Sequence, residues 1–381
     1  MWIDAEGIVR GTLHSRRTQG ESPLKRLIPR TLPALPLALT LALAFTVAGL
    51  QPATAQEAGS WTIGERVVPA PAGASEELRA ALAAMPAPNV DASLAQAPQT
   101  EEQWLAIQNA TANANLEQMA DAYGLSIEKD DIEGVTVYRV TPDKVDPRHT
   151  GHLFLHVHGG AYVLNGGDNS ATEAALVAAR AGIPALSVDY RMPPKHPFPA
   201  AVEDLVTVYR HLLESRSAKS IAIGGTSTGG GLSLASVHKF RDLGLELPGA
   251  IYAGTPWADL TKTGDSLFTN EGLDRVLVTY DGLLKGAALL YADGHDLKDP
   301  LISPVYGDFE GFPPTYLITG TRDMFLSDTA RTHRKLRAAG VVADLHVYEG
   351  VGHADYLILV DSPESKDMFQ EVGAFFKKHL E

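Results

Sequence analysis

A seven-residue stretch, residues 224–230, constrains the fold of this chain more than any other feature. It reads Gly-Gly-Thr-Ser-Thr-Gly-Gly and contains the pattern G-x-S-x-G centred on Ser227. An apolar run precedes it at residues 220–223, and residues 231–240 follow with helix-like spacing. A strand, a tight turn and a helix in this order predict a nucleophile elbow, whose small residues let strand and helix approach each other. The helix N-terminus behind the serine would offer amide groups to a developing negative charge.

The N-terminal 55 residues have the pattern of a secretory signal peptide. Basic residues fall within the first thirty positions, an uncharged stretch rich in Leu and Ala follows, and residues 53–55 read Ala-Thr-Ala. A membrane anchor is the alternative, but Pro33 and Pro36 leave an apolar run, residues 37–50, that is short for a bilayer span. We therefore expect residues 1–55 to be removed and the mature chain to be exported to the periplasm or the medium, without stable membrane insertion.

The charge of the remaining 326 residues excludes one class of partner. They carry 26 Lys and Arg against 43 Asp and Glu, a net charge of −17. Such a surface repels phosphate backbones, so no nucleic acid is expected to bind. The chain has no cysteine, and therefore neither a disulfide nor a lipid-modified cysteine. Its oligomeric state is not defined by these properties, and a homodimer stays open.

Strand-like and helical segments alternate through most of the second half of the chain. This alternation predicts an α/β fold with a mostly parallel central sheet flanked by helices. Upstream, residues 75–84 and 101–123 are predicted to be helical. Residues 257–300 interrupt the alternation with helical, polar-faced sequence that is long enough to form a lid.

Two later residues complete a catalytic constellation with Ser227. Asp323 lies just beyond a predicted strand at residues 315–319, and His353 lies in a glycine-flanked loop after a predicted strand at 343–348. Acyl transfer by a serine needs a base and an acid that orients the base, here in the chain order serine, acid, histidine. We predict Ser227 as nucleophile, His353 as base and Asp323 as orienting acid.

Asp328 and Asp355 are rival candidates for the acid. Asp328 is predicted to lie inside the start of a helix, and Asp355 is too close to the histidine in sequence. Asp323 alone could be a helix cap, although Ser327 is better placed for that. The combination and order of the three residues favour Asp323.

The small residues after the predicted strand 153–157 indicate where a substrate oxygen would bind. Residues 158–161 read His-Gly-Gly-Ala, so the amide groups of Gly159 and Gly160 can point at that oxygen, with the Thr228 amide as third donor. We predict these three residues as the oxyanion hole.

A metal site is the competing interpretation of this strand, because His156 and His158 share one of its faces. No carboxylate or third histidine lies nearby in sequence, and a metal site needs such a ligand. We therefore predict no bound metal.

Taken together, the motifs resemble those of the bacterial hormone-sensitive-lipase-like esterases (family IV carboxylesterases), a branch of the α/β-hydrolase superfamily. The matching segments are 158–162 (HGGAY), 189–200 (DYRMPPKHPFPA), the Ser227 elbow, 299–304 (DPLISP), 320–323 (GTRD) and 352–353 (GH).

The resemblance implies an α/β-hydrolase fold with a helical cap. It assigns residues 56–130 to an N-terminal cap segment and residues 131–381 to the catalytic domain, with a cap insertion at about 257–300. It also implies hydrolysis of short- to medium-chain carboxylic esters, a small-molecule ester as partner, and no cofactor.

Two residues depart from the commonest family pattern. Ala161 stands where glycine is usual, which adds a methyl group near the predicted donors. Thr228 stands where alanine is usual, and its hydroxyl either bonds in the pocket or caps the helix. Arg191 and Asp204 are predicted to hold loops together rather than to act on substrate.

Three other functions stay open on the same residues. A lactone hydrolase, for instance of a terpene-derived ring, would use the same triad. Acyl transfer to an alcohol other than water would also use it. A non-catalytic small-molecule-binding protein on the same fold is the third, although such proteins lose a triad member and this chain keeps all three.

Overall fold

A computed structural model describes residues 60–65 and 67–381 of the chain. The predicted signal peptide, residues 1–55, lies outside the described residues. Residues 67–381 form one compact unit, to which all elements below belong. No helix in the described part of the chain is long and apolar enough to cross a membrane.

One sheet of eight strands forms the centre of this unit. The strands are β1 (Leu125–Ile132), β2 (Val135–Pro142), β3 (Leu153–Val157), β4 (Ala185–Val188), β5 (Ile221–Thr226), β6 (Ala250–Gly254), β7 (Thr315–Gly320) and β8 (Ala343–Tyr348). Their order in the sheet is β1-β2-β4-β3-β5-β6-β7-β8. The β1–β2 and β2–β4 pairs are antiparallel, and every other pair is parallel. The predicted mostly parallel sheet is confirmed.

Helices precede the sheet and connect its strands. They are α1 (Glu76–Ala84), α2 (Val90–Ala95), α3 (Glu101–Thr111), α4 (Leu116–Tyr123), α5 (Thr172–Ala181), α6 (Ala200–Leu213), α7 (Thr228–Asp242), α8 (Ser266–Thr269), α9 (Lys285–Ala292), α10 (Leu326–Ala338), α11 (Asp355–Ile358) and α12 (Pro363–His379). Side chains of Ser75, Asn89, Thr100 and Asn115 accept amide protons at the starts of the first four. These four helices therefore begin where a capping residue supplies the missing acceptor.

Two apolar layers cover the sheet, one on each face. Successive side chains of a strand point to opposite faces, so Leu153 and Leu155 of β3 belong to one layer and Phe154 to the other. In β5, Ile221 and Ala222 divide in the same way. Both layers are needed because a parallel sheet is buried on both faces.

Two details of the upstream segment differ from the sequence analysis. The sheet begins at Leu125, so β1 crosses the boundary drawn between residues 130 and 131. The predicted helix 101–123 is also divided in two. The side chain of Asn169 bonds the carbonyl of Thr111 and the amide of Ala114, 2.6 Å away in the second case, which takes these groups out of any helix.

Candidate active site

The turn between β5 and α7 presents Ser227 at the carboxyl edge of the sheet. Ser227 has φ 63° and ψ −125°, a conformation that non-glycine residues rarely adopt. A Cβ at Gly225 or Gly229 would collide with the carbonyl oxygen of Val157. The two glycines of the motif are therefore required by the close approach of β3.

Loops that follow three different strands bring the predicted triad together. His353 Nε2 lies 2.9 Å from Ser227 Oγ, and His353 Nδ1 lies 3.2 Å from Asp323 Oδ1. Asp323 and His353 are buried. The distances suit a serine whose proton is taken by a histidine held by a carboxylate.

A threonine that the sequence analysis did not single out lies between the acid and the base. The hydroxyl of Thr255 is 2.9 Å from His353 Nδ1 and also bonds Asp323 Oδ2. Because that hydroxyl donates its one proton to the carboxylate, it accepts from the imidazole. The Nδ1 atom of His353 thus carries a proton, and Nε2 is free to accept one from Ser227.

Further hydrogen bonds hold the carboxylate of Asp323. Thr319 Oγ1 donates to Oδ2 over 2.7 Å, and the Phe325 amide donates to Oδ1 over 2.8 Å. With three donors besides the histidine, the carboxylate is fixed in orientation.

Charges around His353 favour its protonated form. Burial lowers the pKa of this imidazole, but the hydrogen bond and charge of Asp323 and the charges of Asp274 and Asp355 together raise it above its ordinary value. The surroundings therefore favour the imidazolium form of this ring.

The rival acids have other partners. Asp355 accepts from the Gly352 amide over 2.7 Å and pairs with Arg275 over 2.6 Å. Asp328 lies in the first turn of α10 and accepts from the Asp259 amide. Neither carboxylate is bonded to the His353 ring, whereas Asp323 is.

The glycine loop after β3 packs directly against the serine turn. A Cβ at Gly159 would lie 3.3 Å from Ser227 Cβ, and Gly160 has φ 116°. The amides of Gly159, Gly160 and Thr228 have no acceptor among residues 60–65 and 67–381. The three predicted donors thus have their protons unpaired within that part of the chain.

Ala161 shows what the change from glycine means for the backbone. It has φ 54°, the left-handed region where a residue with a Cβ is strained and glycine is not.

His158, at the start of the same loop, is held by two contacts. It donates from Nδ1 to the Gly159 carbonyl and stacks on Tyr190 with ring centres 4.0 Å apart. Burial lowers the pKa of His158 to about 3, so the ring is neutral.

No group of three metal-ligating side chains occurs within the described ranges. His156 bonds Ser187 through Nδ1 and Glu173 through Nε2, at 2.8 and 3.2 Å. Both ring nitrogens of His156 are therefore bonded within the protein.

Arg191 binds Asp204 through its amide and its guanidinium, as expected of residues that hold loops together.

A cavity of about 390 Å³ opens above Ser227. Residues of both predicted cap segments line it, with Ser93 from α2 and four residues from the 257–300 segment. Its apolar side is formed by Leu164, Val276, Leu277, Leu283, Leu284 and Leu357, and its polar side includes His156, Asn165, Asn169, Thr172 and Glu173. A small organic molecule with one apolar part fits such a space.

The chain is similar to known hydrolases in sequence. Residues 154–357 match a family described as having the α/β hydrolase fold. An acetyl-hydrolase from Streptomyces hygroscopicus is 33% identical over 260 residues, 68% of this chain and 86% of that protein.

Solved structures of esterases are also similar to this chain. The crystal structure of an esterase is 50% identical and covers 84% of this chain and 99% of its own, with a TM-score of 0.82. An esterase from the bacterial hormone-sensitive lipase family is 30% identical and covers 81% and 99%, with a TM-score of 0.66.

Proposed function

Since this chain belongs to the hormone-sensitive-lipase-like (family IV) carboxylesterases of the α/β-hydrolase fold, we propose that it hydrolyses short- to medium-chain esters through an acyl-enzyme. The observation that carries the mechanism is the 2.9 Å contact between Ser227 Oγ and His353 Nε2. The proposal assigns a role to each group around that contact.

In the first step, Ser227 Oγ attacks the ester carbonyl while His353 Nε2 takes its proton. Asp323 holds the ring and stabilises the imidazolium. The amides of Gly159, Gly160 and Thr228 bind the oxyanion, and one such donor typically contributes about 3 kcal/mol in the transition state. His353 then protonates the leaving alcohol, which departs.

In the second step, water replaces the alcohol. His353 takes a proton from the water as its oxygen attacks the acyl carbonyl. The tetrahedral intermediate collapses, the bond to Ser227 breaks, and His353 returns the proton to Oγ. The products are the carboxylic acid and the regenerated serine.

The cavity supports a preference for short to medium acyl chains. Its volume is about 390 Å³, and its apolar side includes Val276, Leu277 and Leu283. Each methylene group buried there contributes about 0.8 kcal/mol. Chains longer than the apolar side would gain nothing further.

Replacement of the nucleophile tests the proposal. We expect Ser227→Ala to abolish hydrolysis of p-nitrophenyl esters and labelling by a fluorophosphonate probe, because no other group replaces Oγ. The melting temperature should stay near that of the wild type, which shows that the fold is kept. Turnover retained by the folded variant would refute the assignment of Ser227.

A substrate panel tests the ester preference. We expect p-nitrophenyl esters with acyl chains of two to about eight carbons to be turned over faster than longer ones, because the cavity is limited in size. The panel should include lactones, and glycerol or methanol as alternative acceptors. A lactone turned over faster than every linear ester would replace this proposal with lactone hydrolysis.

We propose further that the protein is exported after removal of residues 1–55, on the basis of the basic, apolar and Ala-Thr-Ala segments. Fractionation of cells that express the full chain, with N-terminal sequencing of the product, tests this. A product beginning at Gln56 outside the cytoplasm is expected. A full-length product in the membrane fraction would favour an anchor instead.

A further inference from the structure

A buried carboxylate outside the triad contacts the loops that carry two triad members. Asp274 lies in the segment between α8 and α9 and is fully buried. Its Oδ2 accepts from the amide of Met324 over 2.9 Å and from the amide of His353 over 3.2 Å. Met324 directly follows Asp323, so one oxygen atom connects the loop that carries Asp323 with the loop that carries His353.

The other oxygen of Asp274 binds the segment that lines the cavity. Oδ1 accepts from the amides of Val276 and Leu277, over 2.9 and 3.1 Å. Both of these residues belong to the apolar side of the cavity. One carboxylate therefore connects three pieces of backbone. These are the loop that carries Asp323, the loop that carries His353, and the segment that contributes Val276 and Leu277 to the apolar side of the cavity.

Four amide donors surround the two oxygens, so the hydrogen bonds require the ionised carboxylate. A protonated carboxyl would point its own O–H at an amide that also donates. Burial and the charge of Asp323 raise the pKa of Asp274 above its ordinary value, while His353 and the amides of Met324 and Leu277 oppose that shift.

The next residue ties the same segment to the loop that carries His353 a second time. Arg275 donates from Nε and Nη2 to Asp355 Oδ1, over 2.8 and 2.6 Å. Asp355 in turn accepts from the Gly352 amide through its other oxygen. The segment thus binds the His353 amide directly and the Gly352 amide through Asp355, which holds the loop from which the His353 ring projects.

We propose that Asp274 is a positioning residue that holds the loops of Asp323 and His353 in place relative to each other and to the apolar side of the cavity. The proposal rests on the proposed function, since it assigns a role within that triad. Displacement of the His353 loop by a fraction of an ångström would lengthen the contact with Ser227, on which proton transfer depends.

Three variants test this proposal: Asp274→Asn, Asp274→Glu and, as control, Asp259→Asn. Asp259 is also fully buried, accepts from a backbone amide and pairs with Arg331, but it does not contact the triad loops. We expect Asp274→Asn to lower kcat on p-nitrophenyl acetate by about 10- to 100-fold, with KM within about threefold of wild type. Asp259→Asn should lower the melting temperature and leave kcat near wild type.

The pH profile separates positioning by a charged group from support of the fold. The groups that face His353 are Asp323, Asp274, Ser227 and Thr255, with Asp355 behind the loop and neutralised in part by Arg275. Without the charge of Asp274 the imidazolium is less favoured, so the acidic limb of kcat/KM should move to lower pH in Asp274→Asn. In Asp274→Glu the charge stays, so the limb should stay while kcat falls.

The outcomes are distinguishable. A wild type that turns over no ester would refute the proposed function itself. An active wild type with an Asp274→Asn variant that keeps kcat and fluorophosphonate labelling rate within twofold would refute the positioning role. Should Asp274→Asn not fold, Asp274→Glu decides: unchanged kcat in that folded variant would equally overturn the inference.

Discussion

At the scale of single residues, the imidazole of His353 has the most closely defined surroundings. Its Nδ1–H donates to Asp323 and Thr255, and Ser227 faces Nε2. The ring is buried, yet its pKa is raised, because three carboxylates outweigh the cost of burying a charge. The residue is thus arranged to receive a proton readily.

This arrangement predicts how activity depends on pH. Only the neutral imidazole accepts the Ser227 proton, so kcat/KM should fall as pH drops through the pKa of His353. Because that pKa is raised, the midpoint should lie above about 6.5, the ordinary value for histidine. Rates measured from pH 5 to 9 on a soluble ester give the midpoint. A profile that stays flat to pH 5 would contradict a histidine base.

The sequence predicts Ser227, Asp323 and His353 as the triad, because each follows a predicted strand and stands in a motif. The structure brings these three together, but Thr255 and Asp274 were missed. A lone threonine after β6 and a lone aspartate in a loop carry no pattern, since their partners in the Asp323 and His353 loops are at least 68 and 50 residues away. Their importance comes from contacts that only the folded chain creates.

At the scale of elements, the first turn of α5 is joined to β5 by one buried side chain. Glu173 accepts from the Thr226 amide over 3.1 Å and from the Thr226 hydroxyl over 2.5 Å. That hydroxyl lies 2.9 Å from the phenol oxygen of Tyr356 in α11, a helix that follows His353. Thr226, the residue before Ser227, is thus bonded to α5 and to the helix that follows His353.

His156 of β3 also contacts Glu173 and extends this arrangement. Ser187 donates to the carbonyl of Ser170 over 2.7 Å, so it accepts from Nδ1 of His156. The other ring nitrogen faces Glu173 Oε2 at 3.2 Å. Both ring nitrogens of His156 are therefore bonded to buried side chains of neighbouring elements.

Removal of Glu173 should be costly. We expect Glu173→Ala to lower the free energy of unfolding by about 3 kcal/mol, because it leaves a buried partner of an ion pair and an amide unsatisfied. Glu173→Gln keeps the shape and one acceptor and should cost less. Urea unfolding of both variants gives the comparison. Equal stability of the alanine variant and the wild type would contradict this role.

Strands and helices with a clear apolar pattern could be predicted from the sequence, whereas an edge strand with charged residues could not. The buried runs of β3 and β5 and the helix α7 were predicted from the sequence. Strand β1 was missed because residues 128–131 are charged and exposed at the sheet edge. The break between α3 and α4 depends on Asn169, a residue far along the chain.

At the scale of the whole molecule, several histidines are buried in neutral form. Burial lowers the pKa of His149 and His238 to about 4 and that of His158 to about 3. The charge of His152 acts in the same direction on His149, and that of Arg241 on His238. The unfolded chain binds protons at these sites from about pH 6.5 downward, so stability should fall as the pH drops from 6.5 toward 4.

His238 provides the test. With a folded pKa of about 4 and an unfolded value of about 6.5, it should cost about 2 kcal/mol of stability between pH 7.5 and 5. His238→Gln removes this titration, so its stability should decline less over that range, although it starts lower because the ring packs on Phe309 and Phe312. Urea unfolding at both pH values measures the difference. Parallel declines in the two proteins would contradict the assignment.

The sheet class and the flanking helices could be predicted from alternation along the sequence, but the strand order could not. β3 lies between β4 and β5, and β2 pairs with β4 across more than 40 residues. Such pairings are decided by non-local packing of both faces, which a single sequence does not show.

The carbonyl of Val157 occupies the space into which a side chain at Gly225 or Gly229 would project. Descendants of this scaffold, natural or selected in a laboratory library, consequently have no freedom at either glycine. New preferences must instead arise among cavity residues such as Val276 and Leu283. Diversification is thereby directed to the residues that line the cavity, while the glycines of the serine turn stay unchanged.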